Sequence, residues 1–141
     1  MIVNGHKIKP DTNLMGVDFH NADLRGANLT DSVLVGANFE GADLRNSKLQ
    51  GAYLKGANLS SANLEDANLI YADLTGCNLE GAILRGSTLE YTYLEMSNLK
   101  NCDMENSNLR WSNLEGADLT GANLTGSDLQ GAILDRVKGY K

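Results

Sequence analysis

The chain has 141 residues, a formal net charge of −6 and a pI of about 4.8. With 12 Lys and Arg against 18 Asp and Glu, it lacks the clustered cations that nucleic acid or an anionic membrane requires. No stretch approaches the roughly 18 apolar residues of a membrane-spanning helix.

The first segment, residues 1–11, reads as a cap. Ile2-Val3-Asn4-Gly5-His6-Lys7-Ile8 has the pattern of a short hairpin with an Asn-Gly turn, and Pro10 stops further pairing. No charged leader precedes it, so the cytoplasm is the expected compartment. His6 and His20 stand apart from any nucleophile and are expected to be solvated.

From residue 12 to 136 one pattern runs without a break. Stepping by five from Leu14 to Leu134 visits 25 positions, of which 22 are Leu and the others Phe19, Phe39 and Met104. Two residues before each centre lies a small residue, most often Ala or Ser. The residue just before the centre is Asn or Asp in 18 units, and Gly stands two residues after it in 13. A period of five makes no stripe on an α-helix, and on a straight strand it would send successive Leu to opposite faces. The chain must therefore turn once per unit. The small residue and the centre, two apart, then point inward together. Gly, which tolerates positive φ, makes the corner, helped by Asn and Asp side chains that bond the nearby backbone.

The number of sides shows at a lag of 20. Phe19 and Phe39 lie 20 apart, as do Tyr71, Tyr91 and Trp111 in succession. Arg25, Arg45, Glu65, Arg85 and Glu105 share another such column, where Arg45 to Glu105 alternate in sign, as stacked rungs would favour. Four sides and about six coils of 20 residues follow. At a strand spacing of about 4.8 Å the rod is roughly 30 Å long.

This run of A-[ND]-L-x-G units, typified by Gly26-Ala27-Asn28-Leu29-Thr30, resembles the pentapeptide-repeat family. The resemblance implies an all-β, right-handed quadrilateral β-helix with centres and small residues inside. Residues 137–141 read as a short tail with two fates, of which the resemblance favours the second. Either Val137 and Tyr140 fold over the last ring of leucines, or this end pairs with a second copy. Family members that act on DNA gyrase dimerise through their C-terminal ends.

Departures from the repeat give the candidate sites. From Ser87 to Ser112 the small position holds no Ala, and outward positions become bulky. Tyr71, Tyr91 and Trp111 form one ladder, Tyr93 and Tyr53 share a neighbouring column, and Ile70 flanks them. This cluster is either a partner surface or a stabilising stack. Glu95, Glu115 and Asp135 share a further column. They suggest a cation site, a DNA-mimicking stripe or a solvated acidic face. Cys77 and Cys102 occupy inward small positions and read as core. Two cysteines make no disulfide framework, and no metal or cofactor is implied. The sequons at Asn28, Asn58 and Asn123 are by-products of the repeat.

A packed solenoid offers no large cleft for acid–base chemistry, so no enzymatic activity is expected. The first functional expectation is a rigid interaction scaffold with an unknown protein partner. The alternative, implied by the resemblance, is a DNA-mimicking gyrase ligand of the fluoroquinolone-resistance type. Against that alternative, the acids are interrupted by Arg25, Arg45, Arg85 and Arg110.

Overall fold

A computed structural model describes residues 1–140 as a right-handed quadrilateral β-helix preceded by one hairpin. Each pentapeptide makes one side. Parallel bridges join each residue preceding a centre to its counterpart 20 positions on, as in the continuous ladder Val33–Tyr53–Asp73–Tyr93–Asn113–Ile133. Around Leu74, its own N–H donates to the Tyr93 carbonyl at 2.7 Å and the Asp73 N–H to the Ala52 carbonyl at 2.9 Å. The rungs above and below thereby satisfy the backbone groups of each side.

The corners are as the pattern requires. The Cys77 N–H closes one on the Leu74 carbonyl at 3.1 Å. The residue two after each centre takes positive φ, whether Gly76 at +66° or Asn46 at +58°. Asn and Asp before the centre cap the same bend, as where Asn58 Oδ1 accepts the Ser60 N–H at 3.1 Å.

Inside, the leucines stack in columns with Ala, Ser and Cys between them, and from Leu24 to Leu119 the centres are almost wholly buried. Phe19 lies on Phe39 with ring centroids 5.3 Å apart and a 17° interplanar angle. Fully burying one Leu contributes about 1.5–3 kcal/mol, but only where a neighbouring coil covers it, so stability builds by stacking. The Cys77 and Cys102 thiols donate to the Leu54 and Leu79 carbonyls, and burial pushes both up to about 12, where they remain protonated and unreactive.

At the N-terminal end, β1 (Ile2–Val3) pairs antiparallel with β2 (His6–Lys7) around an Asn4-Gly5 turn in which both residues have positive φ. Val3 and Ile8 close the core there. His6 departs from its expectation of full solvation. It is half-buried and sets its ring edge-on to Phe19 at 5.9 Å, because the hairpin folds back over the first coil. At the other end Leu124, Leu129 and Leu134 are only half-buried, Val137 packs against the core and Tyr140 stays exposed.

The charged column also differs from its expectation. Arg45 pairs not with Glu65 on the next rung but with Asp43, at 2.6 Å, and Arg85 pairs with Asp103, also at 2.6 Å. The Asp before a centre projects from the same outward side as the Arg after it, so the guanidinium reaches that carboxylate first.

Candidate interaction face

Four faces follow from the four sides. Face 1 carries the units centred on Leu14, Leu34, Leu54, Leu74, Leu94, Leu114 and Leu134. Faces 2, 3 and 4 follow in chain order, so face 3 lies opposite face 1.

Apart from the chain ends, every exposed large hydrophobic residue lies on face 1 or at one of its two corners. Met15, Tyr53, Tyr93 and Ile133 are on the face, Tyr71, Tyr91 and Trp111 line the corner between faces 4 and 1, and Met96 stands at the corner between faces 1 and 2. Val33 and Val35 add half-buried apolar surface towards the N-terminal end. The sequence-derived cluster of Tyr53, Tyr71, Tyr91, Tyr93 and Trp111 is therefore brought to one side. Ile70 is half-buried on face 4, next to the corner.

The corner residues occupy unusual backbone. Tyr71, Tyr91 and Trp111 have φ of +61°, +58° and +61°, and Met96 at the opposite corner of face 1 has +59°. Elsewhere these corner positions are mostly Gly, Asn or Asp, which suit this region. For a bulky L-residue it costs about 1–2 kcal/mol. Tyr71 and Tyr91 stack at 5.0 Å and 14°, which offsets part of that. Trp111 instead lies over Gly131, where an added Cβ would fall 2.1 Å from its Cε3. Glycine at 131 thus gives the indole a flat seat.

The acidic column also lies on face 1. Glu95 accepts from Asn113 Nδ2 at 2.7 Å and from Thr75 Oγ1 at 3.2 Å. Glu115 is ion-paired with Arg136, while Asp135 is exposed. An open cleft of about 470 Å³ between Glu95, Met96, Glu115, Gly116, Arg136 and Lys138 mixes both signs of charge. Among the described residues, no group of three His, Cys, Asp or Glu is placed to hold a metal ion, and no helix is long and apolar enough to cross a membrane.

Pattern reading found the aromatics but did not gather Met15, Val33, Val35 and Ile133 with them. Sorting every outward position by its place in the 20-residue turn would have done so. It did not single out Asp73 and Glu90 either, because acidic residues recur on every side.

Comparisons with known proteins agree with this architecture. The model of the family described as pentapeptide repeats matches residues 12–51, 47–86, 67–106 and 102–138. Among solved structures, HetL from the cyanobacterium Nostoc, a pentapeptide repeat protein involved in heterocyst differentiation regulation, is 28% identical with a TM-score of 0.54, covering 91% of this chain and 76% of its own. A pentapeptide repeat protein of the Arabidopsis thaliana thylakoid lumen is 33% identical with a TM-score of 0.56, covering 79% of this chain and 68% of its own. Rfr23 from Cyanothece is 29% identical with a TM-score of 0.51, covering 92% and 88%. The search of curated proteins finds no match.

Proposed function

We propose that this chain, which belongs to the pentapeptide-repeat family, is a non-enzymatic interaction scaffold that meets a protein partner through face 1 and its aromatic corner. One observation carries the reading. Apart from the chain ends, exposed large apolar side chains are confined to one side of the rod, four of them held in left-handed backbone where Gly or Asn would be relaxed. Strained backbone persists where something other than stability retains it. Cytoplasmic residence belongs to the same proposal.

The test separates binding from stiffening. In the triple variant Tyr71→Asn, Tyr91→Asn, Trp111→Gly, relief of left-handed strain offsets the lost Tyr–Tyr stacking of about 0.5–1.5 kcal/mol. Urea unfolding is expected to show stability within about 1 kcal/mol of wild type, or higher. Crosslinking in a lysate of the native host is expected to lose the partner that wild type captures. A marked loss of stability with capture intact would mean that the aromatics only stiffen the rod.

The half-exposed last coil favours one element of a second reading, self-association through the C-terminal end. A gyrase-directed mimic of DNA ranks behind the scaffold. Arg136 and Lys138 stand beside Glu95 and Glu115, and Lys55 stands in the acidic column itself towards the N-terminal end.

A further inference from the structure

Building on that scaffold reading, we infer that face 1 recognises a basic, extended polypeptide segment whose Arg or Lys side chains settle at Tyr91, Tyr93 and Trp111.

The first argument is charge. Around these rings stand Asp73, Glu90 and Glu95. Asp73 neighbours Tyr93 directly in the ladder, Glu90 precedes Tyr91, and Glu95 projects on the same side as Tyr93. Each carboxylate accepts from neutral groups only. Glu90 takes Asn108 Nδ2 at 2.9 Å, Glu95 takes Asn113 and Thr75, and Asp73 takes the Thr75 N–H at 3.0 Å. Among the described residues none of the three has a Lys or Arg nitrogen within 4.0 Å. Of the cations nearby, Arg136 is paired with Glu115 and Arg110 lies 3.8 Å from Asp128, while Lys138 lines the same cleft as Glu95 with its Nζ more than 4.0 Å from that carboxylate. Lys55 stands on the rung next to Asp73, in the register through which Arg85 reaches Asp103, but its Nζ does not come within 4.0 Å of the Asp73 carboxylate. Aromatic rings beside uncompensated carboxylates complement a guanidinium or ammonium, which gains from the ring quadrupole and from charged hydrogen bonds together.

The second argument is shape. A side with about three extended residues is roughly 10 Å wide and the rod roughly 30 Å long. That strip of roughly 300 Å² falls well short of the roughly 800 Å² per partner of a stable globular interface, which disfavours a second copy lying face to face. It matches one extended chain of about nine residues. In such a chain alternate side chains point to the same side, so every second residue reaches the face.

Trp111 is the sole tryptophan of the protein and sits at this site, so its emission reports occupancy. The experiment titrates wild type with fluorescein-labelled (Arg-Thr)4, (Gln-Thr)4 and (Glu-Thr)4, following both peptide anisotropy and Trp111 emission. The Arg peptide is expected to bind and shift the emission, while the other two do not. Glu90→Gln/Glu95→Gln is expected to weaken binding about tenfold or more, whereas the charge-matched pair Glu65→Gln/Glu105→Gln on face 3 leaves it unchanged. Equal weakening by both pairs reduces the effect to net charge and overturns the inference, as does the absence of any emission change. If the Gln peptide binds as tightly as the Arg peptide, and Tyr93→Thr/Trp111→Asn weakens both, the cationic assignment falls while the scaffold reading stands. If no peptide binds and the triple aromatic variant captures what wild type captures, both fall.

Discussion

Faces 1 and 3 sit on opposite sides of the same coils, share one core and have the same backbone, yet their outward chemistry is opposed. Face 3 is zipped by ion pairs. Arg25 lies 2.7 Å from Asp23 and 3.8 Å from Asp43, and further along Arg85 reaches Asp103. Face 1 instead exposes Tyr53, Tyr93, Met15 and Ile133, has aromatics along one corner and Met96 along the other, and leaves Asp73 and Glu95 without a Lys or Arg nitrogen within 4.0 Å. Face 3 shows that the fold accepts a side with no exposed large hydrophobic residue, even though Glu65 and Glu105 there also lack a Lys or Arg nitrogen within 4.0 Å, so the fold does not demand the apolar composition of face 1. What the core fixes is the inward half of each pentapeptide. The outward half is left open to other uses.

The largest effect should come from breaking what the two faces share. Leu74 is centred on face 1 with 1% of its surface exposed, so Leu74→Asp places a charge in the stack. A destabilisation above about 4 kcal/mol, or outright failure to fold, is expected. On face 3, Thr125→Asp is exposed and should change stability by less than about 0.5 kcal/mol. Circular dichroism with urea titration distinguishes them, and comparable losses would mean that the outward positions carry more of the fold than the faces suggest.

A middle-sized effect tests the seat of Trp111. Gly131→Ala meets both positive φ, at +74°, and the indole carbons, whereas Gly76→Ala meets positive φ alone, with nothing within 4 Å. Expected losses are about 2–3 kcal/mol for Gly131→Ala and about 1 kcal/mol for Gly76→Ala. Trp111 emission should shift only in the former. Equal losses with unchanged emission would show that the ring does not depend on that glycine.

The smallest effect concerns face 3 and pH. The hydrogen bond from Arg25 holds the Asp23 carboxyl down at about 2, and Arg45 likewise lowers Asp43. A carboxyl depressed in the folded chain stabilises it above the ordinary carboxylate range near 4. That contribution fades as pH falls through about 2. The effect is modest because these groups face solvent. Thermal unfolding between pH 5 and about 2 should therefore fall less steeply in Arg25→Gln than in wild type. Identical slopes would show that the zipper does not contribute.

Much of the molecule was legible in the sequence because a solenoid is nearly one-dimensional. A lag of 20 in the chain is a neighbour in space, so Phe19 on Phe39 and Tyr71 on Tyr91 could be read directly as stacked pairs. The same reading missed where Arg45 and Arg85 find their partners. Long flexible side chains choose among carboxylates a few ångströms apart, and periodicity carries no information on that choice. It also misjudged His6, whose place against Phe19 depends on how the hairpin folds back.

By itself, then, the sequence determined the core columns, the corners and the four-sided turn. Each of these is imposed by a local rule repeated 25 times and reinforced by every neighbouring coil. Only the tertiary structure decided how exposed the outward apolar side chains remain, that Trp111 lies over Gly131 rather than on another ring, and that Asp73, Glu90 and Glu95 have no Lys or Arg nitrogen within 4.0 Å. These are properties of outward side chains. Burial does not constrain them, and their environment exists only once adjacent rungs have been brought together.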